Sequence, residues 1–219
     1  MTNIKLSIVC ILLSLCLWAA ITPAQAVQPP TTPMVLSAED KSDIKRIEDY
    51  LNSIGTLKSR FMQMTSKGDM RQGDFFLSRP GRLRIVYDPP NPYMIVSNGI
   101  FLLYEDTQLE QKSFTLLNTT PAAILVKENL KLTADGLAIT KIERGANAFR
   151  VSLIQVDDPY SGTITLVFTD RPLMLRQWTV FDVQGTITDF ALIEPRFGID
   201  LEPELFEFSM ENTAIKRRD

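Results

Sequence analysis

The chain has 219 residues, with 23 Lys or Arg, 26 Asp or Glu, two Cys and no His. A net charge of −3 gives no support to a nucleic-acid partner, which would call for a basic face. Without histidine, Ser-His-Asp triads and histidine-ligated metals are excluded, and Cys10 and Cys16 both fall in an N-terminal leader, so thiol chemistry is excluded beyond it.

That leader has the anatomy of a secretory signal. Lys5 precedes an apolar run over residues 6–21, broken only by two serines, and Ala24-Gln25-Ala26 supplies a small-x-small cleavage pattern. Residues 1–26 are therefore expected to be a signal peptide cleaved after Ala26. The alternative is an uncleaved anchor, since the run nearly reaches bilayer length. Pro23 and the cleavage pattern directly behind the run favour cleavage. Leu15 stands before Cys16 where lipidation needs a small residue, so no lipid anchor is expected. An exported chain without cysteine beyond its leader must be held by its core alone. Residues 27–36 read as a flexible Pro/Thr tether, and residues 37–219 as one domain.

Ser37, with Asp40 three residues on, predicts a capped helix start. Ile44, Ile47, Leu51 and Ile54 then form one helical stripe, Lys45, Glu48, Asp49 and Asn52 the opposite, polar face, and Gly55 the stop. From residue 57 onward the pattern is strand and hairpin. Strands are predicted at 57–65, 75–78, 82–87, 93–96, 100–104 and 108–117, with turns at Gly68-Asp69, Pro80-Gly81 and Asn98-Gly99. A second series is predicted at 137–143, 148–156, 163–168, 173–181, 186–193 and 205–208. About ten or eleven antiparallel strands without βαβ spacing define a mainly β protein with a few helices, built as a large curved sheet or barrel.

Phe75-Phe76-Leu77 and Met94-Ile95-Val96 are consecutive apolar residues. Both faces of this sheet are expected to avoid water, either inside a core or around an apolar ligand. Between the two strand series, Thr119-Thr120-Pro121 opens a short apolar helix over residues 122–126, which reads as a plug or lid. Arg79 shares strand parity with Phe75 and Leu77, which aims it at the apolar face. Its planar fork there needs acceptors, and backbone carbonyls of a lid would suit; the alternative is a strand-end arginine reaching solvent before Pro80. Two acidic pairs, Glu105-Asp106 and Asp157-Asp158, are the remaining basis for an enzyme. Both fall at expected turns, where Asp serves local hydrogen bonding, so no catalytic residues are assigned.

Four motifs in order then resemble the periplasmic outer-membrane lipoprotein carriers, the LolA family. They are Phe61-x-Gln63; Gly73-x-Phe75-x-Leu77-x-Arg79-Pro80; Tyr87-x-x-Pro90 leading through Ile95 and Val96 to Asn98-Gly99; and Thr120-Pro121 before the apolar helix. The resemblance runs from about residue 43 to 208 and implies an incomplete, open antiparallel β-barrel covered by an amphipathic helix and a short lid helix. It implies that the acyl chains of a lipoprotein sit between the concave face and those helices, against Leu51, Phe61, Phe75, Leu77, Leu83, Ile85, Ile124 and Leu125. Leu83 and Ile85 depart from the larger rings expected in the family. The matching arginine, here Arg79, is implied to latch the lid when the site is empty. The implied setting is the periplasm of a Gram-negative bacterium. Its partners there are lipoproteins, an inner-membrane lipoprotein-releasing ABC transporter, and an outer-membrane acceptor or the membrane itself. A monomer without cofactor or catalysis is expected. The alternative function is a carrier or sensor of another envelope lipid on the same fold.

Overall fold

The computed structural model describes residues 32–209 except Pro121 and Asp135. The expected signal peptide, the start of the tether and the proline at the head of the lid helix lie outside the described residues. Met34 donates its N–H to the Ile139 carbonyl at 2.8 Å, which ties the end of the expected tether to the fold.

Helix α1, Ala38–Ser53, begins with a reciprocal cap: the Ser37 hydroxyl accepts the Asp40 N–H, and the Asp40 carboxylate accepts the Ser37 N–H. Ile44, Ile47 and Leu51 are buried along one stripe. Ile54 closes the helix through its N–H to the Leu51 carbonyl. Gly55 stands where expected, but its φ is not in the left-handed region, because the chain runs directly into the first strand.

Eleven strands follow: β1 Thr56–Thr65, β2 Met70–Ser78, β3 Arg82–Tyr87, β4 Tyr93–Asn98, β5 Phe101–Asp106, β6 Gln111–Leu116, β7 Leu137–Arg144, β8 Phe149–Gln155, β9 Gly162–Asp170, β10 Leu173–Asp182 and β11 Ile187–Phe197. They form one antiparallel sheet in the order β6-β5-β4-β3-β2-β1-β11-β10-β9-β8-β7. The first and last strands meet in the middle, so β6 and β7 are left as the two edges. The curved sheet is therefore an open barrel. The chain crosses between those edges through a 3-10 turn, Leu117–Thr119, and helix α2, Ala122–Val126.

Three expectations are corrected. The apolar runs do not make both faces dry: burial alternates along β1, β2 and β3, with Phe61, Phe75, Leu77, Leu83 and Ile85 buried and their neighbours partly exposed. Phe76 turns to the convex face, where the Lys58 ammonium lies 5.2 Å from its ring. Residues 205–208 do not form a strand, because Pro203 opens a 3-10 turn, Pro203–Phe206, against β3 and β4. There the Arg84 guanidinium donates to the Leu205 carbonyl at 3.0 Å. This strap, with Phe206 buried, accounts for the burial of Val96 and Leu103 on the convex side, apart from the main core.

The third correction concerns the polar face of α1. Glu48 is buried and accepts the Leu132 N–H at 2.7 Å and the Lys131 ammonium at 3.1 Å. Asn52 exchanges two hydrogen bonds with the Leu130 backbone. Half of that face thus holds the segment that follows α2, placing Leu130 and Leu132 in the core.

Candidate functional site

Helix α1 lies across one end of the open barrel and is tied to it along its length. Arg144 at the end of β7 donates to Asp40 at 2.8 Å and Asp43 at 2.7 Å. The Arg144 hydrogen bond, joined by those from Ser37, holds the Asp40 carboxyl down to about 2. Arg46 reaches Asp170 at 2.7 Å, and the Tyr50 hydroxyl accepts the Leu175 N–H at 3.0 Å beside a bulge in β10. The opposite end of the barrel carries only turns among the described residues.

Helix α2 is held more sparingly, and mostly by the β2–β3 turn. Arg79 donates from Nε at 3.0 Å and from Nη2 at 2.8 Å to the Leu125 carbonyl, and from Nη1 to the Leu51 carbonyl. The Gly81 N–H donates to the Val126 carbonyl at 2.8 Å. One turn therefore caps the C-terminal ends of both helices. α1 has no basic residue in its own last turn, so Arg79 also supplies the positive charge that a helix C-terminus favours. Burial pulls its guanidinium down to about 10, which leaves it charged at neutral pH.

Beneath α2 the concave face leaves an apolar cavity of about 220 Å³ between Phe75, Leu83, Ile85, Ile95 and Leu102 on one half and Ile164, Trp178, Val180 and Phe190 on the other. A second cavity of about 230 Å³ lies between Ile124 and the β8–β9 region. A groove of about 630 Å³ runs along the outer side of α2. A small void touches Arg79, Ile124 and Leu125. Every one of these spaces has a wall made by residues 117–126. Displacing that segment would merge them.

Of the residues picked from sequence, Phe75, Leu83, Ile85 and Leu125 line the central cavity, and Leu51, Leu77, Ile124 and Arg79 surround the small void. Phe61 lines neither; it packs edge-on against Tyr87 at 5.2 Å and beside Phe190 at 6.2 Å. Sequence reasoning missed Ile95 and Leu102 on the first half as lining residues, and the whole second wall, namely Ile164, Trp178, Val180 and Phe190. The period-2 pattern of β9 and β10 carried part of that signal, with Trp178 and Val180 two residues apart. Asp106 accepts the Gln108 and Leu109 N–H groups, and Glu105 pairs with Lys112, so these carboxylates serve the β5–β6 hairpin.

An incomplete barrel with an apolar cavity on its concave face, roofed by two helices joined at one arginine, is a fold shaped to enclose an apolar ligand. Residues 52–209 match the family model of the outer membrane lipoprotein carrier protein LolA, and the chain belongs to that family. The outer-membrane lipoprotein carrier protein of Methylococcus capsulatus is 29% identical over 173 residues, covering 75% of this chain and 82% of the relative. Its counterpart in Pseudomonas aeruginosa is 27% identical over 181 residues, covering 79% and 86%. That of Azotobacter vinelandii is 26% identical over 205 residues, covering 90% and 92%.

Proposed function

We propose that this protein is a periplasmic carrier that shields the acyl chains of lipoproteins between its concave sheet face and α2, with Arg79 latching α2 shut when the site is empty. The observation that carries this reading is the single side chain joining both roofing helices through their backbone carbonyls, at the edge of the small apolar void that Leu125 shares with the central cavity. Family membership supports lipoproteins as the cargo.

The energetics suit a passive binder. Each buried CH₂ gains roughly 0.8 kcal/mol, so several long chains exposed to water represent tens of kcal/mol. A site that binds such chains and must release them needs a competing closed state, so that binding is a displacement rather than a simple insertion. Leu125 and Ile124 fill in that closed state the space that chains take in the loaded one. On this reading the carrier works as a monomer without cofactor or catalysis. It collects cargo at an inner-membrane ABC transporter and yields it to an outer-membrane acceptor or to the membrane itself.

Incubating the purified exported chain with spheroplasts tests this. Newly made lipoproteins are expected to appear in the soluble fraction as one-to-one complexes. Absence of release, with phospholipid or glycolipid found bound by native mass spectrometry, would overturn the reading.

A further inference from the structure

The concave face of β2 presents, by strand parity, Arg71, Gly73, Phe75 and Leu77, and Arg79 follows just beyond the strand. Two arginines therefore bracket the apolar stretch, roughly 26 Å apart at a strand rise of ~3.3 Å per residue. Arg79 sits at the end closed by α1 and is fully engaged. Arg71 sits at the end that carries only turns. Its guanidinium lies 5.2 Å from the Tyr93 ring and has no ion-pair or hydrogen-bond partner among the described residues.

A continuous line of rings connects the two ends. Phe75 meets Trp178 at 5.4 Å, Trp178 stacks on Phe190 at 5.3 Å, and Phe190 leads through Phe61 to Tyr87. Tyr87 then meets Tyr93 at 6.2 Å, and Tyr93 stacks on Tyr104 at 5.6 Å. The composition changes along this line. At the α1 end the rings carry no hydroxyl; at the open end they are three tyrosines. Tyr87 is buried and donates to Gln63. Tyr93 is half-buried and Tyr104 is 40% exposed, and neither hydroxyl has a hydrogen-bond partner among the described residues. Tyr104 stands directly across the ladder from Ile95, a wall of the central cavity.

A tyrosine with an apolar body and a wet tip suits a boundary between hydrocarbon and water. A guanidinium and two tyrosine hydroxyls without hydrogen-bond partners among the described residues leave a cluster of donors free to meet carbonyl acceptors. We propose that Arg71, Tyr93 and Tyr104 form a subsite for the acylated glyceryl-cysteine head of the cargo, whose ester and amide carbonyls they bind. The chains then run along the aromatic line toward Arg79. This assignment rests on the carrier reading and adds a direction to it: tails lie at the α1 end, and the polypeptide emerges at the turns.

The test compares wild type with Arg71→Met and with the double variant Arg71→Met/Tyr104→Phe, using three probes. These are a synthetic triacylated glyceryl-cysteinyl peptide, dipalmitoyl phosphatidylglycerol, and the headless apolar fluorophore N-phenylnaphthylamine. The double variant is expected to bind the lipopeptide about tenfold more weakly while fluorophore binding is unchanged, and Arg71→Met to show part of that loss. Equal loss for lipopeptide and fluorophore would make the cluster structural and overturn the subsite, as would no loss at all. A loss confined to phosphatidylglycerol would assign the cluster to a phospholipid and overturn the lipopeptide head. Failure of wild type to bind the lipopeptide would instead bring down the carrier reading, and the subsite with it.

Discussion

Arg79→Leu is expected to fold and to take up a triacylated lipopeptide, yet to release it to acceptor membranes roughly ten- to hundredfold more slowly than wild type. The guanidinium makes three hydrogen bonds to two helix-terminal carbonyls. Hydrogen bonds involving a charged group contribute about 1.5–3 kcal/mol each, and their loss leaves the Leu125 carbonyl without its side-chain donor. That loss falls on the closed, empty state. On the proposed latch, α2 is displaced and the bonds are already broken in the loaded state, so the variant binds without opposition and lacks the drive to close behind departing cargo. Lipopeptide transfer to vesicles, followed by fluorescence, measures this. Release at the wild-type rate would show that Arg79 contributes to neither side of the exchange. Arg79→Lys separates charge from geometry, because an ammonium keeps the charge but not the planar fork, and is expected to fall between the two.

Gly73→Ala is expected to be among the most destabilising single-methyl additions in the molecule. A Cβ at this position would stand 2.0 Å from the Val86 carbonyl oxygen, 2.7 Å from the Phe61 ring and 2.9 Å from the Tyr87 Cα. Two of those three atoms are backbone in the paired strand, so no rotamer change relieves the contact. Overpacking of this kind costs about 3 kcal/mol, which in a domain of this size lowers the melting temperature by roughly 6–12 °C. Gly55→Ala is the control, since nothing lies within 4 Å of its Cβ position and its φ is ordinary. Thermal unfolding of both variants decides the matter; equal melting temperatures would contradict the packing described around Phe61.

How much of this was legible in the sequence depended on how local each feature is. The capping of α1 by Ser37 and Asp40, the extent of β3 and the Asn98-Gly99 hairpin are set by neighbours within a few residues, and each could be read directly. The position of Arg79 followed from parity along one strand. The second cavity wall was not legible, because Trp178 and Phe190 reach Phe75 only once β1 has paired with β11, a contact between distant parts of the chain. Helical periodicity put Glu48 and Asn52 opposite the apolar stripe but could not reveal that residues 130–132 return to cover them. The same limit applied to the C-terminal run: Phe206 and Phe208 alternate as in a strand, yet Pro203 and the uncovered convex face of β3 and β4 turned the segment into a strap.

The proposed carrier mechanism requires α2 to move away from the β2–β3 turn when acyl chains enter. Hydrogen exchange read by mass spectrometry, with and without a triacylated lipopeptide, tests it on the unmodified protein. The Gly81 N–H, now bonded to the Val126 carbonyl, and the amides of residues 122–126 are predicted to exchange faster on loading, while those of α1 keep their protection. Slower exchange across residues 122–126 and at Gly81 in the loaded protein would contradict the account.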